Sequence, residues 1–438
     1  MKNTTRLIVI LCLICFTISG CDKSVDSLVS VDNFTGNSLP LLNVCVDVPS
    51  SRGGSWENFL TSIRGNNKDF IVITKTIPAQ GSERDAALTH LRTEIMAGKG
   101  PDVFICDCMD PYFLGTGKES QALFPFPENA MNNRIFLPLD EYIADSDSLE
   151  WDKQLPNIMA AGKNEEGQQL LPFSYSFTVA AFDREQYNFS EDLPMTWNEM
   201  LESTDPFVQY AAGIISFPGV MGKVADYEAE ELAFSESDLL TCAEQIWGQK
   251  EKQSNGQLSE LMNYDAESGF YDPKDGIEYI NFSSYELAHV SGHVNLSTSG
   301  KEYHMVPIYN TSGGVTAKIV AFTAINRNTS MPDEAFKVIE TLFSRSIQQN
   351  SALYNSLSGI PPHVDVGSSD AKFNGWSINE WNSEQFKFIR DQINVVQFYT
   401  PLDVQLETII PARYNLEQSL EESVHNVYTT MSMMLAES

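Results

Sequence analysis

From residue 41 onward the chain alternates between short apolar runs and amphipathic stretches. Residues 41–48 read as a buried strand, and 70–74, Phe-Ile-Val-Ile-Thr, form a second β-branched run. Residues 56–63 between them have helical character. Ser82 and Asp85 stand at the spacing of a capping box, and Ala87, Leu88, Leu91 and Ile95 then fall on one helical face. Gly98 and Pro101 stop that helix, and residues 103–106 are the next strand. This strand–helix rhythm predicts an α/β fold with a parallel sheet.

The rhythm continues less regularly. Residues 174–182 alternate as a strand does, Thr196 caps a helix, and 213–217 read as a short strand. Residues 225–249 read as an acidic helix, and 250–275 as polar loop. Strands are predicted at 304–308 and 314–325, and an amphipathic helix at 332–343. A last helix, 414–435, places Leu416, Leu420, Val424, Val427, Met431 and Met434 at helical spacing. There is no internal repeat.

The amino terminus changes the picture of compartment. Lys2 and Arg6 precede a nearly continuous apolar run over residues 7–18, shorter than the roughly twenty residues a spanning helix needs. That is the pattern of an export signal over residues 1–20. Ile18-Ser19-Gly20-Cys21 resembles the bacterial lipobox, in which Cys21 becomes the lipidated first residue; the alternative is an ordinary secretory signal with an incidental Cys. Residues 21–39, rich in Ser, Asp and Asn, have the composition of a flexible tether. Such a protein sits at the cell surface or on the periplasmic face, held to the membrane by lipid.

Without its first twenty residues the chain is still long enough to suggest two or three domains, and the net charge of −31 argues against nucleic acid as a partner. Catalytic patterns are missing: the sequence has no Gly-x-Ser-x-Gly elbow, phosphate-binding loop or dinucleotide fingerprint, so neither an enzyme nor a cofactor is indicated. His289 and His293 have helical metal-pair spacing but lack the Glu of a zinc protease and a third ligand, so no metal is assigned. Cys106 and Cys108 are placed as small buried hydrophobes or as a metal pair without convincing partners. With 59 acidic residues, no glycosidase-like pair is selected by pattern.

Parallel sheets bind ligands beyond the carboxyl ends of their strands. Two loops lie there, 49–55 and 107–113. A sugar needs aromatic faces for its rings and planar polar groups for its hydroxyls. Asp107, Asp110, Tyr112 and Phe113 supply both, as do Phe173 with Tyr175, and Trp376 and Trp381 lie in a stretch that also suits such contacts.

The run Arg92-Thr93-Glu94-Ile95-Met96-Ala97-Gly98-Lys99-Gly100-Pro101-Asp102-Val103 resembles the helix and Gly-x-Gly-Pro-Asp turn of the extracellular solute-binding proteins of ABC importers, the family that includes maltose-like sugar binders. Further landmarks follow in family order: Leu137-Pro138-Leu139-Asp140, Pro172 before a crossing strand, Pro194-Met195-Thr196-Trp197, the strand and helix of 317–343, and Gly359-Ile360-Pro361. The resemblance implies a two-lobed, type II periplasmic-binding-protein-like fold with a ligand cleft between lobes. Residues 40–145 and 302–345 would form one lobe, and 146–301 and 346–438 the other. It implies a monomer that captures a mono- or oligosaccharide by lobe closure and delivers it to a membrane permease. Tyr175 and Phe217 become candidate ligand contacts by position. The family's Trp after the Gly-Pro-Asp strand is replaced near Cys106, which argues against maltose itself. Polyamine or metal-ion binding, and a lipid-tethered glycoside hydrolase, are the alternatives.

Overall fold

Strand β1 (Leu41–Asp47) lies between two parallel neighbours, β2 (Ile71–Thr76) and β3 (Val103–Asp107). Helices α1 (Gly54–Gly65) and α2 (Ser82–Met96) make the crossovers. All five residues of β3 are buried, so its apolar run is continuous rather than alternating, as expected of a strand covered on both faces. β2 is the sheet's edge, and there Ile71 and Ile73 are exposed while Val72 is buried.

Beyond β3 the sheet becomes mixed. It continues through β4 (Leu170–Asp183), β5 (Ile277–Phe282), β6 (Tyr303–Pro307), β7 (Val315–Ile325) and β8 (Ile393–Phe398). β7 runs antiparallel to β3, pairing Ile325 with Val103 and Ala321 with Asp107. Two long strands tie the sheet together. The first part of β4 pairs with β7, and its second part with β5 and β6. The second part of β7 pairs with β3 and β4, and its first part with β8. Two strands thus pass from one group of neighbours to another.

Further helices among the described residues include α3 (Pro127–Asn132), α4 (Trp197–Glu202), α5 (Pro206–Ala212), α6 (Phe217–Met221), α7 (Glu236–Ser254), α8 (Pro332–Phe343), α9 (Glu380–Arg390), α10 (Pro401–Glu407) and α11 (Leu420–Ala436). α8 buries Ala335, Phe336, Val338, Ile339, Leu342 and Phe343 on one face, which packs on β7. Phe104, Phe124 and Phe136 meet edge to face at 5.0–6.0 Å between centroids and fill the core beside β3.

The computed structural model describes residues 39–48, 54–65, 68–79, 81–108, 122–187, 196–214, 216–254, 261–265, 270–273, 277–282, 301–350, 353–354, 359–369, 378–410, 412 and 418–438. Residues 41–438 form one compact unit. Cys21, the tether up to residue 38, His289, His293 and Leu416 lie outside the described residues.

Several sequence expectations need correction. The sheet is mixed rather than parallel, because the later strands arrive from the opposite direction. Gly81, not Ser82, precedes the first turn of α2, and no side chain caps it. The strand expected at 213–217 does not form. Asp205 caps α5 and Pro206 opens it, so the helix runs to Gly213, and Pro218 opens α6. The acidic helix expected from 225 begins only at Glu236, because 225–226 and 231–232 pair as a hairpin. Within the expected loop 250–275, residues 262–265 pair with 270–273.

Candidate functional site

The carboxyl ends of β1 and β3 carry Asp47 and Asp107. Asp47 is fully buried and receives a two-pronged contact from Arg84 of α2, Nη1 to Oδ1 at 2.7 Å and Nη2 to Oδ2 at 3.1 Å. The Leu123 amide donates to the same carboxylate at 2.7 Å. Arg92, two turns further along α2, donates to the carbonyls of Ala122 and Leu123. A planar guanidinium matches a carboxylate in this geometry, so the pair fixes the backbone of 122–123 against the strand ends.

A second group gathers around Lys318, the fourth of the eleven residues of β7. Its side chain is 12% exposed, and Nζ lies 2.5 Å from Oδ1 of Asp403, itself 1% exposed. Asp403 stands in the first turn of α10, just past the end of β8. Its Oδ2 accepts from the Thr400 amide at 2.7 Å and from the Thr400 hydroxyl at 3.1 Å, closing a capping box. One carboxylate therefore joins a strand to a helix start.

Aromatic side chains border this group. The Tyr227 hydroxyl, from the hairpin after α6, donates to Thr400 Oγ1 at 3.5 Å. Its ring centroid is 6.0 Å from that of Phe126, which directly precedes the first turn of α3. Two further acids belong to the neighbourhood: Glu128 in the first turn of α3, and Glu407, one turn beyond Asp403 in α10. Burial pushes the Glu128 carboxyl up to about 7, opposed by the positive charge of Lys223. Burial and the nearby Asp403 charge push Glu407 up to about 7 as well. Burial lowers Lys318 from its ordinary value, with Asp403 opposing the shift. Burial, reinforced by Glu128, raises the Tyr227 phenol. The arrangement offers aromatic faces beside planar acids, a hydroxyl and an ammonium. Such a set can recognise a ring bearing hydroxyl groups.

Asp107 ends β3 and is 3% exposed. It stands opposite Ala321 of β7, and Ser174 of β4 stands opposite Ala321 on the other side. Tyr175 follows Ser174 and is fully buried, stacked on Phe177 at 6.3 Å; its hydroxyl has no hydrogen-bond partner among the described residues. Phe217 is fully buried at the start of α6, whose Gly219 carbonyl accepts from Thr316 of β7. Phe173 is also core. The Trp381 ring is covered by the Arg184 guanidinium, 3.7 Å from its centroid. Asp110, Tyr112, Phe113 and Trp376 lie outside the described residues. Cys106 and Cys108 are buried free thiols. Among the described residues no His, Cys, Asp or Glu group is arranged to hold a metal ion, and no helix is long and apolar enough to cross a membrane.

Phe126, Glu128, Tyr227, Lys318, Thr400, Asp403 and Glu407 were not singled out from sequence. Two signals exist in retrospect. Lys318 is the one charged residue of the strand Val-Thr-Ala-Lys-Ile-Val-Ala-Phe-Thr-Ala-Ile, and Thr400-Pro401-Leu402-Asp403 has capping-box spacing.

No family model matches the sequence, and no curated protein matches it. Solved structures do. A periplasmic oligogalacturonide binding protein from Yersinia enterocolitica superposes with a TM-score of 0.55 at 13% identity, covering 91% of this chain and 99% of that one. The sugar-binding protein MalE from Xanthomonas citri gives a TM-score of 0.53 at 14% identity, covering 91% and 98%. The GacH receptor of Streptomyces glaucescens, described in unliganded form and in complex with acarbose, gives 0.53 at 13% identity, covering 91% and 99%. At these identities the likeness concerns the path of the backbone, over nearly the whole length of each partner. This chain has the mixed α/β backbone fold of these solved binding proteins.

Proposed function

We propose that this chain is the solute-binding component of an ABC importer and that its solute is a mono- or oligosaccharide. The observation that carries the reading is the grouping of Phe126 and Tyr227 with Thr400, Lys318 and Asp403 at the strand ends of this fold. Stacking faces and planar hydrogen-bonding groups are what a sugar ring requires of a protein. The solved structures of similar backbone include proteins described as binding oligogalacturonide, sugar and acarbose, which agrees with that chemistry.

In this reading two lobes, 40–145 with 302–345 and 146–301 with 346–438, close over the solute. Bending in the long strands β4 and β7 gives the motion, and contacts made only in the closed form bias it. Asp107, Asp110, Tyr112, Phe113, Tyr175, Phe217 and Trp376 remain proposed contributors to the solute cleft. Cys21 carries the lipid, and a permease accepts the solute.

Residues 22–438 titrated against mono- and oligosaccharides in a thermal-shift assay test the proposal. A ligand at about 100 times its dissociation constant adds roughly 2.7 kcal/mol to stability. A saturable shift with a saccharide series, and no turnover, supports the function. Indifference to every saccharide overturns it. Labelling with palmitate in the wild type but not in Cys21→Ser tests the anchor.

A further inference from the structure

Helix α3 reaches from one proposed lobe to the other. The chain leading into it is fixed to the first lobe. There the Leu123 amide donates to Asp47, Arg92 holds the carbonyls of Ala122 and Leu123, and Phe124 packs on Phe104 and Phe136. Phe126, at the start of α3, then meets Tyr227 with 6.0 Å between ring centroids and 51° between ring planes. Tyr227 belongs to the second lobe. Its hydroxyl donates to Thr400, and the hairpin that carries it packs on α11. Just before that hairpin, the Val224 amide donates to Gln397 Oε1 of β8 at 3.1 Å. Three residues along the chain from Phe126, Asn129 Nδ2 donates to Ser438 Oγ at 2.5 Å. Ser438 follows α11, which packs on α7 and α10 of the second lobe. α3 therefore touches the second lobe at two points, at the spacing of one helical face.

These contacts differ in kind from those at β4 and β7. There the two parts of the sheet share main-chain ladders, which persist when the lobes bend about them. Between α3 and its partners there is one ring pair and one hydrogen bond at exposed side chains. A ring pair of this sort shifts an equilibrium about two- to twelvefold, enough to bias closure without making it permanent. The rings also use up the faces offered to a sugar. A sugar ring held between two aromatic faces makes contacts of about 3.5–4.0 Å with each, which sets them about 7–8 Å apart. At 6.0 Å and tilted, Phe126 and Tyr227 cover one another instead.

We propose that α3 is a latch. Through Phe126 on Tyr227 and Asn129 on Ser438 it holds the lobes together when no solute is bound, and a solute enters by parting the two rings. The inference rests on the two-lobed sugar-binding reading and adds its regulation. The free protein sits closed on its own aromatic pair, and the apparent affinity for solute is lowered by the fraction of molecules in which the latch is open.

Electron–electron distance measurements on residues 22–438 read the latch without any ligand. Spin labels are placed on Met96→Cys in α2 and Glu244→Cys in α7, one exposed position on each lobe; Cys45, Cys106, Cys108 and Cys242 are buried. The expected result is one short distance in the otherwise wild-type protein. Phe126→Ala adds a longer population, with the open-to-closed ratio raised about two- to twelvefold. Asn129→Ala raises it about twofold, and Phe126→Tyr, which keeps the ring, leaves it unchanged. Phe126→Leu keeps the apolar bulk and replaces the alanine variant if melting shows that the latter does not fold. A distance distribution that is the same in all these variants, or one that is already long in the wild type, overturns the inference. Stopped-flow fluorescence with a saccharide that binds gives the second readout. Asn129→Ala, which lies off the ring faces, should associate about twofold faster than the wild type, and equal rates overturn control of entry by the latch. If no saccharide binds but the variants open, the sugar-binding function falls and the contact between lobes stands. If saccharides bind and the variants do not open, the latch alone falls.

Discussion

Lys318 Nζ lies 2.5 Å from one oxygen of Asp403, while the other oxygen of that carboxylate closes the capping box of α10. The strand β7 and the helix start beyond β8 are thereby held by one buried side chain. Removing Lys318 strands a negative charge in a dry place, and breaking such a pair from one side costs about 3–5 kcal/mol. Lys318→Met is expected to lose stability on that scale in urea unfolding. The double variant Lys318→Met with Asp403→Asn should recover part of the loss, because the stranded charge is gone and an amide oxygen still accepts from Thr400. If the single and double variants are equally unstable, the ion pair is not the source of the cost.

The two raised carboxyls fix a sign for the pH dependence. Glu128 and Glu407 move from 4.5 to about 7 on folding, so between those values the native protein binds more protons than the unfolded chain. Stability of the ligand-free protein therefore falls as pH rises through that window. Glu128→Gln and Glu407→Gln should flatten the profile, and each should be more stable than the wild type above pH 7.5 by about 1–3 kcal/mol. Denaturant melts from pH 5 to 8 check it. A wild-type profile that rises across this range contradicts the assignment.

Arg84 is a third test. Its guanidinium holds both oxygens of the fully buried Asp47 and also donates to the Pro78 carbonyl at 3.0 Å. Arg84→Met leaves Asp47 with the Leu123 amide and no cation, at an expected cost of about 3–5 kcal/mol. Arg84→Lys should not restore the wild-type melting temperature, because an ammonium lacks the fork.

Gly359 is a fourth. A side-chain carbon there would come within 1.9 Å of Ser174 Oγ and 2.5 Å of Val320 Cγ2, in the segment where Ile360 pairs with Tyr175. Gly359→Ala should cost about 1–3 kcal/mol by overpacking. Gly359→Ala combined with Ser174→Ala should regain only part of it, since Val320 still obstructs. Thermal unfolding of the three variants separates these outcomes.

The Gly359-Ile360-Pro361 landmark was visible in sequence, but its reason, the closeness of Ser174 and Val320, was not. The same holds elsewhere. β1, β2 and β3 with their helices were legible because period and caps are local properties of the chain. The hairpin at 225–232 was mistaken for helix, since its acidic composition suits either, and pairing with a partner strand decides between them. Phe217 and Tyr175, chosen as contacts by position, are fully buried, and a buried ring and a ring that meets a ligand look the same in a sequence.

By itself the sequence determined the class of the fold, the rhythm of its first βαβ units and the acidic composition, all of which depend on residue content and short-range periodicity. Only the tertiary structure decided which polar residues share a site. Glu128, Tyr227, Lys318 and Asp403 lie far apart along the chain and meet because β7 and β8 pair while α3, α10 and the 225–232 hairpin close around them. The physical reason is that charge, desolvation and ring contact act through space at a few ångströms, whereas a sequence orders residues only along the backbone.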